Sequence, residues 1–260
     1  MEIIGVVNQK GGVGKTTTCM NLAASLAVIG KKVLVIDIDP QGNASTGVGI
    51  SLEQRNYNIY GALIGQYKLS ETIQATDIKN LFLIPSTVDL AAAELDLKDL
   101  PNREYILKNQ LNALREHFDY VIIDCPPSLN LLTVNVLTAV QELIIPVQCE
   151  FFALEGLSHL LKTVNIVQKG LNPQLKIKGI LLTMFDRRNR ISEQVAREVQ
   201  KHLGNKVFKT IIPRNVKISE APSFGKPAIA YDHTCRGAQA YIRLVKEILT
   251  LDKLKAKVAQ

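Results

Sequence analysis

A chain of 260 residues with 47% hydrophobic content can bury one good core, and no apolar run approaches the roughly 18 residues of a membrane span, so a soluble cytoplasmic protein is expected. Four cysteines without C-x-x-C spacing and four dispersed histidines argue against zinc, haem or a disulfide framework, and the chain opens on a strand pattern rather than a signal peptide. Charge is unevenly placed: residues 1–160 carry 11 Lys and Arg against 17 Asp and Glu (net −6), residues 161–260 carry 20 against 7 (net +13), which suggests a polyanion-binding face in the C-terminal third.

Residues 3–7 read as a buried parallel strand, and helical spacing begins at Thr16 and runs through Met20, Ala23, Ala24 and Ala27. Between them lies QKGGVGKTT. Gly11, Gly12 and Gly14 let the backbone approach a cluster of oxygens, while the new helix aims free N–H groups and its positive dipole end at the same point. Residues Gly11, Gly12, Val13, Gly14, Lys15, Thr16 and Thr17 are therefore the candidate phosphate cradle, with Lys15 on the β- and γ-phosphates of ATP and the Thr16 hydroxyl on Mg²⁺. One position departs from G-x-x-x-x-G-K-[ST]: Gln9 stands where the first glycine would, and Lys10 is added. A second ammonium in so tight a loop needs an acceptor of its own.

A second strand, 33–37, leads into DIDPQGN, where the carboxylates sit at the carboxyl end at which such sheets place ligands. Asp37 closes the strand, and Asp39 lies near the phosphates, able to orient water. Short helices are expected near 59–64 and 69–75, a strand at 81–85, and helices at 89–97 and 103–116. Strand 120–124 ends in Asp124, the Walker B position holding Mg²⁺ through water or the Thr16 hydroxyl, and Pro126-Pro127 follows. Strands at 142–147, 177–184 and 210–212 and helices at 153–170, 191–203 and 236–249 complete the chain. The alternation predicts a single α/β domain over 1–260, one doubly wound, mainly parallel sheet with helices on both faces.

The K-G-G-V-G-K-T loop resembles the deviant P-loop of the family containing ParA and MinD ATPases, the nitrogenase iron protein and the arsenical-pump ATPase. Together QKGGVGKTTT, DIDPQGNAST, IIDCPPSL, PVQCEFFALEGL and IPRNVKISEAPSFGKP resemble the short, Soj-type chromosomal ParA proteins over nearly the whole chain. That resemblance implies a slow, Mg²⁺-dependent ATPase, nucleoid-associated, that dimerises around two ATP molecules, binds double-stranded DNA without sequence preference and is stimulated by a ParB-type partner to segregate a chromosome or plasmid. It implies that Lys10 reaches the partner's nucleotide, that Asp39 serves hydrolysis and that Pro213 and Asn215 meet the nucleobase. DNA contacts match Arg188 and Lys217, with Arg190, Arg214 and Arg236 as neighbouring basic residues. Two alternatives stay open. The amphipathic end, with Leu244, Ile248, Leu251 and Leu254 among Arg243, Lys246, Lys253, Lys255 and Lys257, suits a MinD-like membrane-cycling ATPase, though no aromatic follows Tyr241. A dethiobiotin-synthetase-like ligase would need a small-molecule pocket in place of a basic face.

Overall fold

The computed structural model describes residues 1–114 and 116–258, and the side chains of 255–258, Lys255 and Lys257 among them, lie outside that description. Seven strands form one sheet: β1 Glu2–Val6, β2 Val33–Asp37, β3 Gln74–Ala75, β4 Leu81–Ile84, β5 Tyr120–Asp124, β6 Glu142–Gln148 and β7 Lys176–Thr183. Their order is β3-β4-β2-β5-β1-β6-β7, parallel throughout except for β3, which runs antiparallel to β4 at the edge. Five helices of nine or more residues flank it: α1 Lys15–Val28, α2 Leu131–Ala139, α3 Ala153–Gly170, α4 Arg190–Leu203 and α5 Arg236–Val258.

Side chains alternate across each strand and feed two cores. Ile4, Val6, Val33 and Val35 face α1 and α5, packing with Leu22, Leu26, Tyr241, Leu244 and Ile248. Ile3, Leu34, Ile36 and Ile123 face the other way, toward Leu132 and Val136 of α2, Leu157 and Val164 of α3 and Val199 of α4. Buried on both sides, the strands are near-continuous apolar runs, as parallel sheets require. Register then aligns their carboxyl ends. Asp37 stands opposite Asp124, and Val6, the last residue of β1 ahead of the glycine loop, stands opposite Asp124 from the other side.

At the opposite edge the Lys178 side chain is fully buried and bonds three carboxylates: Glu2, Glu142 and, at 2.7 Å, Asp252. This cluster ties β1, β6 and β7 to α5. Burial pushes the Glu2 carboxyl up to about 7 despite the ammonium beside it.

Several expectations need correction. Segment 69–75 is a 3-10 turn, Leu69–Thr72, followed by the edge strand β3, not a helix. The helices expected at 89–97 and 103–116 are broken into 3-10 and short α pieces. No strand forms at 210–212. Glu247 accepts the Lys209 and Thr210 N–H groups at 2.7 and 2.9 Å, removing donors a ladder would use, and contact with the β7 side is reduced to isolated bridges at Val207 and Pro213 and a bond from Ile212 N to the Leu182 carbonyl at 2.9 Å. Helix α2 was not expected from sequence, because Pro126-Pro127 draws attention away from the Asn130 cap, whose side chain accepts from Thr133 N at 3.1 Å. Helix α5 continues past 249 to Val258.

Candidate functional site

The glycine loop is held open by its neighbours. Asn8 Nδ2 donates to the Pro146 carbonyl at 2.7 Å and Asn8 Oδ1 accepts from Lys10 N at 3.0 Å, while Thr183 Oγ1 donates to the Val13 carbonyl at 2.8 Å. Gly12 and Gly14 have φ of 73° and 87°, the left-handed region that only glycine occupies freely. A Cβ built on Gly11 or Gly12 meets no atom within 4 Å, so both positions face open space. Helix α1 starts at Lys15 with no acidic residue in its first turn and no side-chain cap, which leaves its first amides unclaimed by side chains. Lys15 is 7% exposed, and its Nζ donates to the Lys10 carbonyl at 3.2 Å. Burial pulls its pKa down, opposed by the charges of Asp124 and Asp39.

Three aspartates share the sheet's carboxyl edge and differ in surroundings. Asp37 is fully satisfied: Oδ2 accepts from Ser45 N and Oγ at 2.8 and 2.7 Å, and Oδ1 from Asp39 N at 3.2 Å, so it organises the turn. Asp39, 8% exposed, accepts from Gln41 N at 3.0 Å through Oδ1. Asp124 is completely buried; Oδ1 accepts from the Cys19 thiol at 3.4 Å, and Oδ2 has no hydrogen-bond partner. Burial, and then the Asp37 charge, push its pKa up, with the Thr16 hydroxyl and the Cys19 thiol opposing. A buried carboxylate oxygen without a donor is costly unless something else arrives to meet it.

Lys10 does not stand free at the mouth of the loop. Its Nζ is 3.0 Å from Glu150 Oε2 in the same chain, and Gln148 Nε2 bonds the other oxygen of that carboxylate. Glu150 was not singled out from sequence, since no local pattern links positions 10 and 150.

The loop's far wall continues from Thr183 and Met184, whose side chains lie 4.0 Å from where a Gly14 Cβ would be. Beyond them opens a cavity of about 950 Å³ lined by Arg187, Arg188, Arg214, Arg236 and Arg243 together with Asp186, Pro213 and Asn215. Of the predicted DNA-contacting residues, Arg188, Arg214 and Arg236 line this cavity, and Arg190 and Lys217 do not. Arg188 is tethered by Asp186 at 2.9 Å, though its side chain is 90% exposed. Lys217 is paired with Glu220 at 3.0 Å and lies 5.5 Å from the Tyr231 ring centre. Asn215 Oδ1 is buried without a partner. Arg187 and Arg243 were missed as anion contacts. For Arg243 a signal existed: Arg236, Gln239 and Arg243 recur at helical spacing on α5 and all line the cavity.

A family model described as an AAA domain matches residues 1–177. The sporulation initiation inhibitor protein Soj of Bacillus subtilis is 54% identical over 95% of this chain and 98% of its own, and the chromosome partitioning protein ParA of Caulobacter vibrioides is 49% identical over 97% and 96%. This chain belongs to the ParA/Soj family of chromosome-partitioning ATPases. Among solved structures, the cobyrinic acid a,c-diamide synthase of Mycobacterium smegmatis with bound ADP and magnesium superposes with a TM-score of 0.86 at 36% identity, covering 97% of this chain and 96% of that one. The ParA/Soj assignment rests on the higher identity.

For this ParA/Soj chain the membrane alternative loses its main support. Leu244 and Ile248 are buried in the core, Leu251 packs against it, and Leu254 alone of the four is exposed, at 55%. The apolar stripe of α5 is spent on the sheet. Among the described residues no helix is long and apolar enough to cross a membrane.

Proposed function

We propose that this partitioning ATPase binds and hydrolyses Mg·ATP, forms a dimer around two ATP molecules, holds double-stranded DNA through its arginine-lined face and is switched by a ParB-type partner. Residues 1–260 act as one domain, associated with the nucleoid. The observation that carries the reading is continuity: the strand end that touches the glycine loop is the same one from which the arginine cavity opens.

The donor set fits the ligands. A hard cation takes oxygen ligands, and the orphaned Asp124 Oδ2 beside the Thr16 hydroxyl is such a pair. Bound Mg²⁺ would supply charge neutralisation at the phosphates. Lys15, desolvated and bonded only to a backbone carbonyl, is suited to trade that carbonyl for β- and γ-phosphate oxygens. The unclaimed amides from Gly11 to Thr17, Val13 included, would cradle the remaining oxygens. Asn215 Oδ1 offers a buried acceptor for an exocyclic amine, and Pro213 a flat apolar surface for the base. Asp39 would orient the attacking water, and Lys10, on leaving Glu150, would reach the partner's nucleotide.

DNA would be held by backbone phosphates. Arg188, Arg214 and Arg236, with Arg187 and Arg243, supply the charge, and Arg190 and Lys217 extend it at the margin. Contacts of this kind give affinity that falls steeply with salt and hardly changes with sequence. Replacing Asp39 with Ala should abolish ATP turnover and leave nucleotide binding within about threefold, since its carboxylate accepts from the Gln41 amide and holds no other side chain by a hydrogen bond. Unchanged turnover would remove the assignment.

A further inference from the structure

Arg55 follows a single 3-10 turn, Leu52–Gln54, and only 2% of it is exposed. Taking a guanidinium out of water is costly unless its donors are met, and here all five N–H groups are. Nε and Nη2 donate to the Ile50 carbonyl at 3.3 and 2.7 Å, Nη1 to the Gly42 and Ser86 carbonyls at 3.3 and 3.2 Å, and Nη2 to Thr46 Oγ1 at 2.8 Å. Every acceptor is a neutral oxygen of the chain itself. With no donor left over for a phosphate, this arginine is not part of the anion-binding face. What it does must lie in what it holds.

It holds the turn that presents Asp39. Gly42 N closes that turn by donating to the Asp39 carbonyl at 2.9 Å, and the Gly42 carbonyl then accepts from Thr46 N at 3.0 Å as the short helix Asn43–Gly47 begins. Arg55 grips the turn at both points, Gly42 and Thr46. Gly42 lets it come that close, since a Cβ there would lie 2.5 Å from Nη1. On its other side the guanidinium takes the Ser86 carbonyl just past β4, while Ser86 N donates to Ser45 Oγ at 3.1 Å and Ser45 Oγ to Asp37 at 2.7 Å. The turn is thus fastened to the ends of β2 and β4 by one connected set of bonds. The Asp39 carboxylate takes its hydrogen bond from Gln41 N within that same turn, at 3.0 Å, so the direction in which it points follows from where the turn is held.

We propose that Arg55 is a positioning residue for ATP hydrolysis: it touches neither nucleotide nor water and fixes, through the backbone from Gly42 to Thr46, the place from which Asp39 acts. This rests on the reading of Asp39 given above and adds what aims it. A lysine carries its donors on one nitrogen at the end of a flexible stem and a glutamine has two N–H groups, and neither can span three carbonyls and a hydroxyl from one plane. The glycine loop has its own anchors in Asn8 and Thr183, and no bond of Arg55 reaches it. Loss of Arg55 therefore acts on turnover and spares nucleotide binding.

The test is steady-state hydrolysis of Mg·ATP by Arg55→Ala, read as kcat and KM beside the binding of fluorescent ATP, with millimolar guanidinium chloride or, as control, sodium chloride at the same concentration. Because misplacing a reacting group by about 1 Å can cost about 100-fold, the variant should lose about 30-fold or more in kcat with KM and ATP affinity within about threefold. Guanidinium ion, filling the vacated site with the same planar set of donors, should recover at least about fivefold of that loss, and neither wild type nor Asp39→Ala should respond to it. Thr46→Val, at an exposed position, removes one acceptor of the guanidinium and should lower kcat about three- to tenfold at unchanged KM, the worth of a hydrogen bond. It decides the matter if Arg55→Ala does not fold. An Arg55→Ala protein that turns over near the wild-type rate, or one that loses ATP binding along with kcat and ignores guanidinium, would overturn the proposal, as would Thr46→Val with unaltered kcat. If Asp39→Ala still hydrolyses ATP, the reading of Asp39 fails and this one with it. If Asp39→Ala is inactive and Arg55→Ala is not, this one alone fails.

Discussion

Replacing Asp124 with Asn should make the nucleotide-free protein more stable while weakening its hold on Mg·ATP. The carboxyl is completely buried, has a thiol at 3.4 Å on Oδ1 and the Thr16 hydroxyl beside it but no hydrogen-bond partner on Oδ2, and stands opposite Asp37 in the sheet register. Burial and the Asp37 charge hold its pKa well above the usual carboxylate range. A carboxyl raised in this way contributes its stability below the unfolded-state pKa of about 3.9 and loses it as pH rises toward the folded-state value. Asp124 therefore opposes folding at neutral pH. A buried polar group left unpaired costs about 1–3 kcal/mol, and Asn keeps an amide that recovers only part of this, so a gain of about 1–2 kcal/mol is expected. At about 2–4 °C per kcal/mol for a chain of this size, the melting temperature should rise by about 2–8 °C at pH 8 and hardly at all at pH 4. Thermal melts at both pH values, with and without Mg·ATP, read this directly. The rise that Mg·ATP gives the wild type should shrink in the variant. An Asn variant that melts below wild type at pH 8 without nucleotide, or that keeps the full ligand-induced rise, would show that the Asp124 carboxylate is neither a folding liability nor a metal ligand.

Lys178→Ala would leave Glu2, Glu142 and Asp252 facing one another and should cost about 3–5 kcal/mol in urea unfolding, the loss typical of a broken buried ion pair. Because burial lifts Glu2 to about 7, its share of stability is present below about pH 4.5 and is lost as pH rises through 7. Glu2→Gln should flatten that stretch of the urea-midpoint profile between pH 5 and 8. Arg236→Glu with Arg243→Glu should weaken duplex DNA binding at least tenfold for any sequence and lower the salt slope by about 2, measured by fluorescence anisotropy. Lys217→Glu should do less than Arg214→Glu in the same assay, since Lys217 is already neutralised by Glu220 at 3.0 Å.

The parts legible in the sequence are those fixed by local chemistry. β2 and β5 fall where their apolar runs do, α3 spans the expected 153–170, and the glycine loop, Asp39 and Asp124 meet at one sheet edge because a parallel register forces strand ends together. The resemblance to partitioning proteins rested on motif blocks, and the relatives agree with it. What was not legible depends on partners distant in the chain. Glu150 bonds Lys10 across 140 positions, and Lys178 gathers residues 2, 142 and 252, none of which carries a local mark. The misplaced strand at 210–212 fails for the same reason, since Glu247 from α5 takes the Thr210 amide and leaves Ile212 to bond the Leu182 carbonyl of β7 by itself. Arg55 is another case. It is 2% exposed with no carboxylate partner among its hydrogen bonds, and it binds the Gly42, Ile50 and Ser86 carbonyls that shape the turn after Asp39. Its partners lie up to 31 positions away, and no local pattern marks it.

If nucleotide and DNA occupy one coupled surface, duplex DNA binding by Asp39→Ala protein, saturated with Mg·ATP or free of nucleotide at the same salt concentration, will report the coupling. If ATP holds two basic faces together, the saturated protein should bind DNA at least tenfold more tightly, because the phosphate contacts double. Equal affinity in the two states would mean that nucleotide and DNA sites act independently.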